Sequence, residues 1–451
     1  MYAIVHAPDS HQHFRRSLQL AAIEDVLPDG EVHTVCRQLG YGWRNRQLPP
    51  ACLVRSMVYR GLSPDRSISA VLADLAALTG NINAATDSAW CQARDRLPEA
   101  VLFETHLRLT RRMRRRFGSQ HTCWGRPVFL VDGTGVSMPD TPPLAEEFGY
   151  TRSKQYASRF PVARVTIIGL AGVHAIWDWR INEYRCSEDE QLHDMWHTIP
   201  RGAICLFDRY FSSFYNLAKL RRFGIGVLSR LHQRRDPQRL IRQGQPLGPN
   251  EWFVPLELAP QLRRRYDDPT LPQRLWVRLI RVNFRRAGKR YRHWLVTTLS
   301  DPNRYRLREI VDLYRRRWEI ETRLGEIKTT LQADVLRSKT PGAVRRELAA
   351  ILLGHNVVWW LIHLAADQTD TPAEDISFAG AAKTILAFSH ELAHARGHRR
   401  RNLFYAMLRH IARQTNHHPF GRSEPRLVKR DPVRYGILRI TRDKARLKCL
   451  T

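Results

Sequence analysis

The sequence predicts an α/β chain: a core of strands and helices interrupted by a β-rich insertion, with a helical region before it and a basic region after it. Three observations carry this expectation. Residues 1–120 read as mainly helical, with loops at "LPPA" and "GLSPDRS". Apolar, β-branched runs then dominate in "PVFLVDGTGVSM" (127–138), "ARVTIIGLAGVHAIWDW" (163–179) and "GAICLFDRYF" (202–211). After the amphipathic helix "SSFYNLAKLRRF", the runs "GIGVLSRL", "EWFVPLEL", "RLWVRLIRVNF" and "RYRHWLVTTL" are again strand-like, and 301–366 returns to helix.

The expected organisation is therefore a helical N-terminal region over 1–120 and a first core part over 121–223. A β-rich insertion follows over 224–300, then a second core part over 301–370 and a basic C-terminal region over 371–451. The Pro- and Asp-rich "DQTDTPAEDIS" (367–377) reads as a linker.

With 451 residues the chain is long enough for two or three domains. Its 73 Lys and Arg against 43 Asp and Glu give a net charge of +30, which would attract a polyanion. The excess is concentrated: "RLTRRMRRR" (108–116) holds six arginines, and 396–451 holds sixteen basic residues against three acids. Two separate basic blocks favour nucleic acid over ordinary solvated helix faces. Seven cysteines without a Cys-x2-Cys pair argue against a disulfide scaffold and fit a reducing cytoplasm. The N-terminus has no apolar signal core, and its His11 and His13 read as surface residues. "LAAILLGHNVVWWLIHLAA" (348–366) is interrupted by His355, Asn356 and His363, so it reads as a buried helix with Trp359 and Trp360 in the core, and no membrane is expected.

Two aspartates stand out by position. Asp132 ends the apolar strand "VFLVD" and Asp208 ends "AICLFD". A carboxylate at a strand tip is aimed at one end of a sheet, although an Asp before Gly also serves as a turn residue. A third acid lies in "YRRRWEIETRLGEIK" (314–328), which reads as continuous helix. At about 100° per residue, Tyr314, Arg317, Glu321 and Lys328 share an arc of roughly 60°. Ile310, Leu324 and Leu331 lie on the same arc, so it faces inward, while Arg315, Arg316 and Arg323 point elsewhere as solvated charge. A carboxylate on such a face needs a cationic partner, either the nearby arginine or a metal. Three carboxylates can hold two hard cations, one activating a nucleophile and the other stabilising a leaving oxygen.

These residues resemble DDE transposases of the bacterial insertion-sequence-four family. Tyr314, Arg317, Glu321 and Lys328 match its Tyr-x2-Arg-x3-Glu-x6-Lys signature without a gap. Asp132, Gly133 and Thr134 match its first aspartate motif, and Asp208 with Arg209 its second. "SAWCQARDRLP" (88–98) is similar to its N-terminal helical region and "RSEPRLVKRDP" (422–432) to its C-terminal tail, so the likeness covers roughly residues 30–435.

The resemblance implies an RNase H-like core with a β-rich insertion between Asp208 and Glu321, where 113 positions leave room for it, and an N-terminal region that binds DNA. It implies that Asp132, Asp208 and Glu321 are catalytic and hold two Mg2+ ions, with Mn2+ as a substitute. Tyr314, Arg317, Lys328 and Arg209 would hold DNA, and Trp294 would stack on a flipped base. The implied chemistry is hydrolysis at the 3′ end of a mobile element, then strand transfer into target DNA, with a hairpin intermediate in some members. The implied partners are double-stranded DNA, as terminal inverted repeats and as target, and a second copy of the chain once assembled on DNA. The implied setting is the bacterial cytoplasm at the nucleoid.

Two rivals are open at this level. One is a related nuclease that cuts without joining. The other is a zinc protease through "HELAH" (390–394), with His390 and His394 as ligands and Glu391 as base, but the third ligand of the extended pattern would fall on Arg400.

Overall fold

The computed structural model describes residues 21–44, 48–79, 85–151, 158–286 and 289–416. The basic segment 417–451, including "RSEPRLVKRDP", and His11 and His13 lie outside them. Among the described residues six α-helices precede the first strand: α1 (Ala21–Val26), α2 (Asp29–Gln38), α3 (Pro50–Leu62), α4 (Ile68–Thr79), α5 (Asp87–Arg96) and α6 (Glu99–Phe117). Their starts are written locally. Pro50 opens α3 at a position that lacks a helical hydrogen bond anyway, and the Thr86 hydroxyl caps α5 by accepting from Ala89 N at 3.2 Å.

Among the described residues ten strands build one sheet: β1 (Thr122–Cys123), β2 (Arg126–Ser137), β3 (Val162–Leu170), β4 (Ala175–Glu183), β5 (Ile204–Phe207), β6 (Gly226–Arg230), β7 (Gln245–Gly248), β8 (Glu251–Glu257), β9 (Arg274–Arg286) and β10 (Lys289–Thr297). Its order is β4-β3-β2-β5-β6-β10-β9-β8-β7, with β1 attached to β2. Strands β2, β5 and β6 run parallel, and every other pairing is antiparallel. The strand-like run 224–300 therefore does not form a sheet of its own. Its first strand, β6, lies parallel to β5, and β10 then pairs with β6 and continues the ladder outward. Where this extension meets the chain leading to the signature segment, buried Arg278 is bonded to Glu251 and donates from Nη1 to Tyr305 O at 2.6 Å.

The remaining helices are α7 (Pro142–Phe148), α8 (Glu188–His193), α9 (Phe214–Arg222), α10 (Pro237–Arg242), α11 (Pro260–Tyr266), α12 (Leu307–Arg315), α13 (Trp318–Gly325), α14 (Pro341–Thr369), α15 (Phe378–His394) and α16 (Gly397–Ala412). Helix α14 is long and apolar enough to cross a membrane by composition, yet most of it is buried, with Leu353, Val357, Trp359 and Leu361 at most 1 % exposed. It packs against α3, α6, β4, α15 and α16, so its apolarity is spent on the core. His106 of α6 and His363 of α14 both hydrogen-bond from Nε2, to the carbonyls of Ile176 and Val173, and tie the helices to the β3–β4 turn and β4. Part of the basic block 396–451 also belongs to this core, because Met407, Leu408 and Ile411 of α16 are buried.

The segment 314–328 is not the continuous helix that its composition suggests. Helix α12 stops at Arg315, and Arg316 and Arg317 form a tightened turn in which Arg317 N bonds Tyr314 O at 3.1 Å. After α13 the chain passes into a π-turn over Glu326–Thr330. Tertiary contacts cause both departures. Glu319 accepts from Gly172 N at 2.8 Å and from Arg316 Nε at 2.8 Å, which pins the turn to the β3–β4 connection. Glu326 accepts from Trp359 Nε1 at 3.1 Å and pairs with His355 Nε2 at 2.9 Å, which anchors the π-turn on α14. Arg323 is likewise not solvated charge: it is buried over the Trp359 ring at 4.4 Å and faces Glu326 at 3.3 Å.

Candidate active site

The register of three parallel strands sets the site. Leu130 pairs with Leu206, and Leu206 with Leu228, so these leucines stand at one level across β2, β5 and β6. Two residues further along each chain come Asp132, Asp208 and Arg230. Side chains alternate between faces along a strand, so a step of two returns to the face of the paired leucines. Asp208 lies just past the end of β5, as its sequence position suggests. Asp132, however, does not end its strand: β2 continues to Ser137 because β3 remains paired with it, and only the β5 partner has stopped.

Glu321 reaches the same place from α13. Gly169 of β3 admits this approach, since a Cβ there would stand 2.8 Å from Ile320 Cδ1. Asp132, Asp208 and Glu321 line one cleft of about 340 Å³ together with Arg209, Arg230 and Arg317. Arg317 Nη2 donates to Glu321 Oε1 at 2.6 Å, answering the need of that carboxylate for a cation. Burial pushes the Asp132 carboxyl up to about 6, against its bond from Gly133 N at 2.8 Å and the pull of Arg317, with Asp208 and Glu321 adding to the rise. Asp208 accepts from Tyr210 N at 2.7 Å, and its carbonyl accepts from Ser229 Oγ at 2.7 Å, which fixes the β5 end against β6.

The other sequence-selected residues stand around the cleft. Half-buried Tyr314 donates its hydroxyl to Phe207 O at 3.1 Å, one residue before Asp208, and burial raises its pKa to about 12. Lys328 sits half-buried in the π-turn and is not among the residues lining the cleft. Trp294 is half-buried on β10, its ring 5.8 Å from that of Trp252. The protease pattern on α15 does not assemble: the His394 ring bonds through Nδ1 to His390 O at 2.9 Å, and Glu391 pairs with Arg399. Among the described residues no three His, Cys, Asp or Glu side chains form a ready-made metal cluster there or elsewhere. In the cleft Glu321 is turned to Arg317.

Three residues escaped the sequence reading. Arg230 ends β6, and the strand-tip argument applied to "GVLSR" could have found it. Glu188 at the start of α8 lies against Gly133, where a Cβ would come within 2.3 Å of its Cδ; burial raises its pKa, Arg164 lowers it, and Asp132 and Asp208 raise it further. No sequence spacing signals that approach. Trp318 is 63 % exposed, with the Arg317 guanidinium 5.6 Å from its ring.

A sheet whose strand ends present carboxylates beside arginines suits metal-assisted chemistry on an anionic ester. Residues 124–357 match the Transposase DDE domain family. The chain is similar to "Transposase InsG for insertion sequence element IS4" of Escherichia coli strain K12, 26 % identical over 350 residues, which cover 76 % of each chain. It is also similar to "Putative transposase InsZ" of the same strain, 34 % identical over 90 residues, or 20 % of this chain and 30 % of that one. Among solved structures, a piggyBac transposase synaptic complex with hairpin DNA aligns over 91 % of this chain and 88 % of its own at a TM-score of 0.45 and 9 % identity. The chain belongs to the DDE transposase family, in its insertion-sequence-four branch. It is thus a transposase, an enzyme of DNA cleavage and strand transfer.

Proposed function

We propose that the chain cleaves DNA at insertion-sequence ends and joins the freed 3′ ends to target DNA at the cleft between β2, β5 and α13. The observation that carries this is the convergence of Asp132, Asp208 and Glu321 on one cleft that three arginines also line. The strand order β4-β3-β2-β5-β6, with only β2, β5 and β6 parallel, supports the RNase H-like reading of the core, with β7–β10 as the inserted part.

The donor set fits hard divalent cations: it is all carboxylate oxygen, as Mg2+ and Mn2+ prefer, with no thiolate or imidazole in the lining. Asp132, Asp208 and Glu321 would hold two such ions, Mg2+ first and Mn2+ as substitute. When bound, the metal supplies an activated water or 3′-hydroxyl and neutralises charge on the leaving oxygen. The chain's own groups do the rest. Arg209, Arg230 and Arg317 hold the phosphates flanking the scissile bond, with the bidentate geometry that a guanidinium offers. The Tyr314 hydroxyl keeps the end of β5, and with it Asp208, in line, while its ring and Lys328 border the bound strand. Trp294 offers a half-buried ring to an extruded base, and Trp318 an exposed one. The substrate is double-stranded DNA, as terminal inverted repeats and as target, handled by a homodimer assembled on that DNA in the cytoplasm at the nucleoid.

The test is to incubate purified protein with Mg2+, a duplex carrying the inverted repeats that flank the gene, and a supercoiled target plasmid. Nicks at the repeat ends and covalently joined products are expected. Cleavage that never yields a joined product would reduce the protein to a nuclease, and metal-independent cleavage would remove the carboxylates from the mechanism.

A further inference from the structure

The arginine run 108–116 divides into two sets with different surroundings. Arg108, Arg112 and Arg116, spaced four apart, are committed to the protein: Arg108 to Gln38, Arg112 to Val26 O at 2.9 Å and Glu31 at 2.6 Å, and Arg116 to Asp367 at 2.9 Å. Arg111, Arg114 and Arg115 lie off that row and line a separate cleft of about 470 Å³. Its floor is the buried set Leu170, Ala171, Val173 and Trp177. Among the described residues no carboxylate pairs with Arg111 or Arg114, and the bond drawn by Arg115 is to Arg111 O at 3.4 Å.

Charge at a helix C-terminus explains part of this, because cations in the last turn of α6 meet the negative end of the helix. It does not explain Arg111, which lies a turn earlier, nor why all three arginines line a concave surface with an apolar floor. Three unneutralised cations in a cleft select a polyanion, and a sugar–phosphate chain matches both halves of the surface: phosphates to the arginines, deoxyribose to the floor. The cleft is distinct from the catalytic one. Pro127 lines it, whereas Asp132 stands five residues further along β2, a separation of roughly 17 Å.

We propose that Arg111, Arg114 and Arg115 form a second DNA-backbone site, which grips the duplex outside the catalytic cleft. The proposal rests on the DNA-processing reading above and adds to it where the duplex runs. The remaining faces of α6 stay structural.

The test measures duplex affinity of the full chain against salt concentration without divalent metal, so that no cleavage enters. The triple variant Arg111→Ala, Arg114→Ala, Arg115→Ala should flatten the slope of log K against log salt by about 2–3, at about 0.9 per lost phosphate contact. The triple variant Arg263→Ala, Arg264→Ala, Arg265→Ala, on exposed α11, removes the same net charge and should leave the slope near wild type. In parallel, a photocrosslinking amino acid at Ser119, which lines the cleft, leaves all three arginines in place and should crosslink to DNA. An unchanged slope, an equal loss in the α11 control, or a Ser119 crosslinker that captures polyglutamate but not DNA each overturns the second site. A wild-type protein that binds no duplex at all instead removes the DNA-processing reading, and the second site with it.

Discussion

Arg317 donates from Nη2 to Oε1 of Glu321 across 2.6 Å, with the arginine side chain 14 % exposed and the carboxylate 38 % exposed. The pair closes one wall of the cleft with opposite charges that an incoming cation and an incoming phosphate can each claim. Arg317→Ala should therefore leave Mn2+ affinity, read by titration calorimetry, unchanged or higher, because a competitor for Glu321 is gone. DNA cleavage should meanwhile fall by roughly 10²–10³-fold as a charge-stabilising contact is lost. Clearly weaker Mn2+ binding would show that the pair organises the carboxylate and does not compete for it.

Asp132→Ala, Asp208→Ala and Glu321→Ala should each reduce cleavage by roughly a hundredfold or more, while DNA affinity stays near wild type. The separation follows from the charges involved: affinity for a polyanion comes from Lys and Arg contacts, not from carboxylates. Substantial Mg2+-dependent cutting by any one variant removes that residue from the catalytic set.

Tyr314→Phe deletes only the hydroxyl that bonds Phe207 O at 3.1 Å. The expected cost is about 1 kcal/mol of stability and a severalfold loss of cleavage rate, since the end of β5 carries Asp208. If DNA affinity falls and the cleavage rate of bound DNA does not, the hydroxyl serves the DNA directly.

Trp294 and Trp318 separate packing from contact. Trp318 is 63 % exposed, so Trp318→Ala should change stability by less than about 0.5 kcal/mol while weakening DNA processing. Trp294→Ala should spare the first nick and slow the later double-strand step, because stacking on an extruded base returns about 1–3 kcal/mol. A Trp294→Ala protein that completes excision at the wild-type rate has no base platform at that position.

Acid should destabilise the protein through its buried histidines. Burial lowers His106 from 6.5 to about 3 and His363 from 6.5 to about 4. Both stay neutral when folded, while the unfolded chain takes up protons below 6.5. Their contribution is thus complete above 6.5 and is lost as pH falls, at about 1.4 kcal/mol per pH unit for each. Asp132 opposes this with the other sign, since its raised carboxyl contributes stability at low pH that is lost as pH rises from 3.8 to about 6. Denaturant unfolding at about pH 7 and pH 5 should show a smaller acid loss in His363→Gln, by roughly 2 kcal/mol. An identical pH dependence in that variant would mean that the imidazole is protonated in the folded state.

The sequence by itself determined what can be read along one strand or one motif. Apolar, β-branched runs located β2, β5 and the segment that holds β3 and β4, and the ends of the runs "VFLVD" and "AICLFD" marked Asp132 and Asp208, because these signals are local to a few residues. The spacing of Tyr314, Arg317, Glu321 and Lys328 identified the signature and its inward face. Only the tertiary structure decided which chains meet. The shared level of Leu130, Leu206 and Leu228 brings Arg230 beside the acids, and strand register depends on partners distant in sequence. Glu188 against Gly133, and Arg323 buried on Trp359, are encounters of this kind. The ideal helix drawn over 314–328 failed at Arg316 and again at Glu326 for the same reason: Gly172, His355 and Trp359 offered hydrogen bonds and contacts worth more than unbroken helical geometry. The arginine run behaves likewise, with one composition and two fates, settled by whether Glu31, Asp367 or an open cleft lies opposite each guanidinium.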